Sequence, residues 1–219
     1  MPRAVREQQM LDAAVATFGQ RGYRAASMDE IAELAGVSKP LVYLYLNSKE
    51  ELFTACIRRE AAALVSAVQG GVTPGVPADR QLWNGLLAFF AHAAENPDGW
   101  AVLSNQARTH GEPFAAEVAA MREEIVTLVT LLIAAAAAEA GCTVSPGGSS
   151  SGTSEELADR EVAGLAHALV GAAESLAGWA NVTPGASAKD TAATLMNFAW
   201  AGLENLMSGK RWTPSSSSP

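Results

Sequence analysis

The chain lacks most of the signals that mark an enzyme, a secreted scaffold or a membrane protein. It has two cysteines, Cys56 and Cys142, with no CxxC pair and no metal-ligand spacing. Isolated thiols of this kind fit a reducing compartment and exclude a disulfide framework. Its three histidines, His92, His110 and His167, lie far apart, and no HExxH, GxSxG, P-loop or GxGxxG pattern occurs. No metal, no cofactor and no catalytic constellation are therefore expected. The longest apolar run, Ile125 to Ala138, has 14 residues, two of them threonine, which is too short to span a bilayer. Met1 to Glu7 is polar and has no apolar core of the secretory type. The expectation is a soluble, cytoplasmic, non-enzymatic protein with no membrane partner.

A basic excess is also missing. The 15 Lys and Arg against 23 Asp and Glu give a net charge of −8, which over the whole chain argues against a nucleic-acid partner. Regional counting changes that inference. Residues 1–60 hold eight basic and eight acidic side chains, whereas residues 61–219 hold seven and fifteen. All the excess negative charge lies in the second part, an asymmetry that suggests two functional units.

What is present favours helices. Apolar residues make up 49% of the 219 positions, with heavy use of alanine and only 6% aromatics. A first helix is predicted from about Val5 to Arg21, with Met10, Leu11, Ala14, Val15 and Phe18 forming a stripe at helical period. Gly22-Tyr23 is expected to turn the chain through the left-handed region. Ser27-Met28-Asp29-Glu30 matches a capping box for a second helix over about 28–35. Gly36-Val37-Ser38 then leads to a third helix from Lys39, with Pro40 in its first turn and Ser38 as its cap. Asn47-Ser48-Lys49-Glu50-Glu51 opens a fourth helix over about 49–68. Five further helices are predicted near 79–95, 98–109, 113–140, 155–182 and 189–208, with a Gly/Ser/Thr-rich loop over 141–154. The fold class is all-α, with about nine helices and no solenoid repeat.

The informative segment is Ser27 to Lys49. Two short helices separated by Ala35-Gly36-Val37-Ser38 make a helix-turn-helix, which places the N-terminus of its second helix in the DNA major groove. From Leu34 to Lys49 there are two lysines and no acid, so a locally positive face is expected.

These residues resemble the N-terminal module of the TetR family of bacterial repressors. The likeness rests on Met10-Leu11-Asp12-Ala13-Ala14, Phe18, Gly22-Tyr23, Ser27-Met28, Ile31-Ala32, Ala35-Gly36-Val37-Ser38, Val42-Tyr43 and Ser48-Lys49-Glu50-Glu51-Leu52. It covers about residues 6–57, and beyond them it is architectural only. The resemblance implies an N-terminal three-helix DNA-binding module joined to a larger helical ligand-binding and dimerisation domain. It further implies a homodimer on a near-palindromic double-stranded operator, released when a small-molecule effector binds. By position, Ser27 and Lys49 would hold phosphates, and Tyr43 and Tyr45 would contact the backbone. Ser38, Lys39, Pro40 and Leu41 would face the groove. Three positions depart from the family pattern: Tyr45 stands where histidine is frequent, Leu46 where phenylalanine is, and Leu41 where a small or polar residue is. Lys39 is the only long cationic side chain of the third helix. A bidentate base contact gives roughly 1–3 kcal/mol, against roughly 4–10 kcal/mol for a specific complex, so dimerisation and DNA shape must supply the remainder.

The expected division is residues 1–48 for DNA binding, 49–210 for effector binding and dimerisation, and 211–219 as a flexible tail. Small residues at Gly164, Ala168, Gly171, Ala172 and Gly178 suit close helix approach in a dimer. A facing stripe of Leu195, Phe198, Ala199, Gly202, Leu203 and Leu206 completes that surface. Polar groups within apolar helices mark an effector pocket. Its expected residues are Trp83, Phe90, Trp100, Asn105, Arg108, His110, Met121, Glu174 and Trp179, in a setting suited to a hydrophobic effector. Phe89, Leu103 and Ile125 are expected beside them. The alternative is an effector-independent helical DNA-binding or scaffolding protein, separated by whether any ligand releases DNA.

Overall fold

The computed structural model describes residues 3–106, 110–141, 143–145, 156–208 and 210. Among the described residues there are nine α-helices. The first four are α1 (Arg3–Arg21), α2 (Met28–Leu34), α3 (Lys39–Leu46) and α4 (Lys49–Gly71). They are followed by α5 (Ala78–Glu95), α6 (Pro97–Ala101), α7 (Phe114–Glu139), α8 (Asp159–Asn181) and α9 (Ala188–Met207). Helix α6 runs on into a π-helical turn, Val102–Gln106. None of the described helices is long and apolar enough to cross a membrane.

The all-helical expectation holds, with two local differences. The segment predicted as one helix near 98–109 is a short α-helix that widens into the π turn. Residues Glu156–Ala158, expected to begin a helix, instead form strand β2, paired in parallel with β1 (Thr143–Ser145). Pairing with a neighbouring strand satisfies the backbone groups there, and α8 starts only at Asp159. Most of the expected 141–154 loop, Cys142 and the 211–219 tail lie outside the described residues.

Helix α1 buries Met10, Ala13, Ala14, Val15 and Phe18, the face its periodicity marks, while Leu11 is half-buried. The following turn passes through Gly22 at φ 80°. The capping box forms only in part. Ser27 Oγ accepts from the Asp29 amide (3.2 Å), and the Glu30 carboxylate turns to Arg21 (3.3 Å) across the α1–α2 corner. Gly36 takes φ 65° in the α2–α3 turn, a backbone conformation that a side chain would strain. Ser48 caps α4 by accepting from the Glu51 amide (3.0 Å).

Two contacts join α1–α3 to the rest. One is aromatic: Phe53 of α4 meets Phe18 (4.8 Å between ring centres), Tyr23 (4.7 Å) and Phe114 (4.8 Å), the first residue of α7. Such pairs contribute about 0.5–1.5 kcal/mol beyond the area they bury. The other is a close approach of α1 to α6. A Cβ on Gly19 would lie 2.7 Å from the Asp98 carbonyl oxygen, and Gln20 Nε2 donates to Asp98 Oδ2 (3.1 Å). Nearby, Arg59 binds Asp12 (2.6 Å) and the buried Glu60 (2.7 Å), so that carboxylate is paired as burial requires. Cys56 is fully buried in the same region, and burial pushes its thiol up to about 12. On the outer side, Arg58 of α4 binds Glu117 of α7 at 2.5 Å.

Helices α4, α5, α7 and α8 form the bundle core, and α9 packs on α5 and α8 through Thr191, Ala192, Leu195 and Leu203.

Gly19→Ala should drive α1 from the α6 backbone and lower stability by about 1–3 kcal/mol, read as a fall in Tm. The Arg58 guanidinium holds the Glu117 carboxyl below its ordinary value, mainly by hydrogen bonding. That pair therefore stabilises the fold above the ordinary carboxylate range and ceases to do so as the pH falls through the lowered pKa. Arg58→Met should lower Tm at pH 7, with the difference from wild type narrowing as the pH falls below the ordinary carboxylate range.

Candidate nucleic-acid interface and interior cavity

Helix α3 buries one residue, Val42, against the three-helix unit. Its outer face is built from Lys39, Pro40, Tyr43 and Leu44, with Leu41 and Tyr45 half-buried. Leu44 is 73% exposed and was not among the expected contacts. Its signal was spacing: it follows Pro40 by four residues and shares that helical face. Ser38 sits at the N-cap in extended conformation, and its hydroxyl makes no capping bond. The expected cap is therefore absent, leaving that oxygen for another donor or acceptor.

The positive face is smaller than the local count of lysines suggests. Lys39 Nζ donates to Asp29 Oδ2 of α2 at 2.9 Å, and this contact raises the lysine pKa. Asp29 precedes the Leu34–Lys49 window, so the window contains no acid while the folded face does. Lys49 is drawn inward. Its ammonium donates to the Arg24 carbonyl (3.3 Å) and lies 5.0 Å from the centre of the Tyr23 ring, and burial lowers its pKa. Tyr45 carries the Arg3 guanidinium over its ring at 5.0 Å. Tyr23 in turn touches His110 (5.3 Å) and Phe114 (5.2 Å), so the Lys49 seat is continuous with the start of α7.

A cavity of about 750 Å³ opens among α4, α5, α6 with its π turn, α7 and α8. Of the expected pocket residues, Trp100, Asn105, Met121 and Glu174 line it, as do Phe89, Leu103 and Ile125. Trp83, Phe90, His110 and Trp179 do not line it. Trp83 packs half-buried on the core, and Phe90 lines a separate void toward α9. His110 meets Tyr23 edge-on instead. Trp179 is 54% exposed, on a different face of α8 from the cavity-lining Glu174 and Gly171. Arg108 lies outside the described residues.

Arg122 was missed. It shares a helical face with Val118, Met121 and Ile125, all of which line the cavity. Its guanidinium binds Glu174 of α8 at 3.2 Å and approaches His167 Nδ1 at 3.3 Å. The cavity thus has a polar wall of Arg122, Glu174, Ser104, Ser175 and Asn105 facing apolar walls from α4, α5 and α7. Beyond Phe89, Ile125 and Val170 lies a narrower, wholly apolar void lined by residues such as Leu82, Leu86 and Leu132. Neighbouring it, Ala168, Ala172, Phe198, Ala199, Gly202 and Leu206 line an apolar groove between α8 and α9. Phe198 is 78% exposed there. Leu195, expected on the same surface, is buried within the chain, and Gly171 and Gly178 face the cavity.

A family model described as bacterial regulatory proteins of the tetR family matches residues 10–56. A second, described as a tetracyclin repressor-like C-terminal domain, matches residues 78–144. The crystal structure of a TetR-like transcriptional regulator from Rhodococcus sp. RHA1 is 35% identical in sequence. It superposes with a TM-score of 0.73, covering 93% of this chain and 98% of that one. The chain belongs to the TetR family. It is a TetR-family transcriptional regulator with an N-terminal helix-turn-helix. The HTH-type transcriptional activator FasR of Mycolicibacterium smegmatis is 35% identical over 133 residues, and the match spans 61% of each chain. FadR from Bacillus subtilis, solved in complex with stearoyl-CoA, shares the fold at TM-score 0.62 and 16% identity, over 93% of this chain and 99% of that one.

The space around Gly178 in this TetR-family bundle can be tested directly. A Cβ there meets nothing within 4 Å. Gly178→Leu should leave Tm unchanged or higher, since glycine costs a helix about 1 kcal/mol relative to alanine. It should also weaken uptake of an apolar fluorophore such as 1-anilinonaphthalene-8-sulfonate, followed by titration.

Proposed function

We propose that this protein is a sequence-specific repressor that binds a near-palindromic operator as a homodimer and leaves it when a small hydrophobic effector enters the interior cavity. The division follows the chain: residues 1–48 read DNA, residues 49–210 bind the effector and dimerise, and residues 211–219 form a tail. In this reading Ser38, Lys39, Pro40 and Leu41 face the major groove, joined by the exposed Leu44. Ser27 and Lys49 hold phosphates, and Tyr43 and Tyr45 lie along the backbone.

The observation that carries the reading is one of continuity. Lys49, which opens α4 directly after the α3 unit, rests on Tyr23, and Tyr23 packs on Phe114 at the start of α7, a helix that walls an open cavity of about 750 Å³. Volumes of about 300–1,000 Å³ suit small-molecule ligands. The mixed walls favour an effector with a long apolar body and one polar end, the body directed toward the void at Leu82 and Leu132. FadR, which shares this fold, was solved with such a molecule, stearoyl-CoA. The groove at Phe198 and Leu206 supplies the apolar surface for the second protomer. Trp100, Asn105, Met121, Arg122 and Glu174 contact the effector.

The test begins with selection of bound duplexes from random DNA by the full-length protein. Two half-sites of opposite orientation are expected, with release on adding medium- or long-chain amphiphiles. Insensitivity of the complex to every such compound sinks the effector reading, and an activating reporter response sinks repression. Lys39→Ala should weaken operator binding and relax base preference. Lys49→Ala should weaken binding to all sequences and flatten the salt dependence by about one unit. Unchanged operator affinity in both variants, measured by gel-shift titration, excludes the assigned interface.

A further inference from the structure

The ion pair between Asp29 and Lys39 carries a consequence for DNA affinity. Lys39 lies in the first turn of α3, on its outer face, and is the helix's only basic side chain. Asp29 reaches it from the first turn of α2 at 2.9 Å, and both side chains are well exposed, 71% for Asp29 and 44% for Lys39. Asp29 is not needed as the cap of α2, because Ser27 Oγ is the acceptor and the Asp29 amide the donor. The Glu30 carboxylate beside it is committed to Arg21. Asp29 thus spends its charge on the one ammonium placed to enter the groove.

We propose that Asp29 is an affinity brake: it competes with DNA for Lys39, so operator binding proceeds only by breaking this pair. The inference rests on the assignment of α3 as the groove-reading helix. An exposed ion pair shifts an equilibrium by up to about fivefold, whereas a good base contact is worth about fivefold to over a hundredfold. The base contact therefore wins on the operator, but at reduced net gain. A phosphate contact is itself an exposed ion pair and gains little over Asp29, so on random DNA Lys39 contributes almost nothing while the pair is intact. Freed from Asp29, Lys39 can neutralise a phosphate on any sequence.

The experiment uses the full-length protein, the tightest duplex recovered from random-sequence selection and a scrambled duplex of the same length. Asp29→Asn, which keeps the shape and removes the charge, should tighten operator binding by about twofold to twenty-five-fold across two half-sites. Scrambled DNA should tighten by no more than the operator, with the salt slope steepening by about 0.9 per protomer. In a Lys39→Ala background, Asp29→Asn should add nothing. Asp29→Ser repeats the measurement if the asparagine lowers Tm. Unchanged or weaker operator binding in both folded variants overturns the brake. A gain that persists without Lys39 overturns it too, since Asp29 would then act on phosphate directly. If Lys39→Ala alone leaves operator binding unchanged, the assignment of α3 fails first and the brake with it.

Discussion

The packing of Phe53 between Phe18, Tyr23 and Phe114 is the contact on which the rest of the molecule's arrangement depends. It joins residues from α1, the α1–α2 turn, α4 and α7 in one aromatic cluster. Four rings at close packing leave little room for one helix to shift alone. The position of α1 relative to the bundle follows from that cluster together with the close approach at Gly19. The seat of Lys49 follows as well, since its cation rests on a ring of the cluster. A helix-turn-helix of three short helices buries little apolar area by itself. Here its core is completed by α4, which also walls the cavity through Leu64.

The sequence reading was most accurate where a local rule determines a local structure. The apolar period of α1, the glycine turns and the Ser48 cap depend on near neighbours, and each appears as the pattern implies. The Ser38 cap, equally local, does not form, and most of the other readings that changed depend on partners outside their own helix. Ser27 and Glu30 have the spacing of a capping box, but Arg21 offers Glu30 a charged partner that its own helix does not. The window from Leu34 to Lys49 contains no acid, yet Asp29 folds back onto it. For the cavity, residue type proved a weaker guide than phase. Trp83, Phe90 and Trp179 are large side chains of the kind that line apolar pockets, but they fall on other faces of their helices. Arg122 has the correct phase and was not among the expected residues. The π turn after α6 had no signal in the sequence beyond a run compatible with a helix.

Charge shows the same contrast between average and arrangement. The acidic excess belongs to residues 61–219, and the N-terminal module is balanced. Within that balance several basic side chains are paired with carboxylates. Arg21 pairs with Glu30, Lys39 with Asp29, and Arg59 with Asp12 and Glu60. Pro40, Tyr43 and Leu44 make the exposed outer face of α3 largely apolar, with Lys39 its one cation.

The burial of Cys56 has an implication for stress responses. Oxidants attack thiolates, and a thiol with a pKa near 12 is ionised in only about one molecule in 10⁵ at neutral pH. Sulfenic acid formation, the first step of peroxide sensing, therefore has almost no reactive species at this position. Fully enclosed beside Leu11, the sulfur is a small apolar filler in chemical terms. Changes in cellular redox state should leave this junction between α1 and α4 untouched.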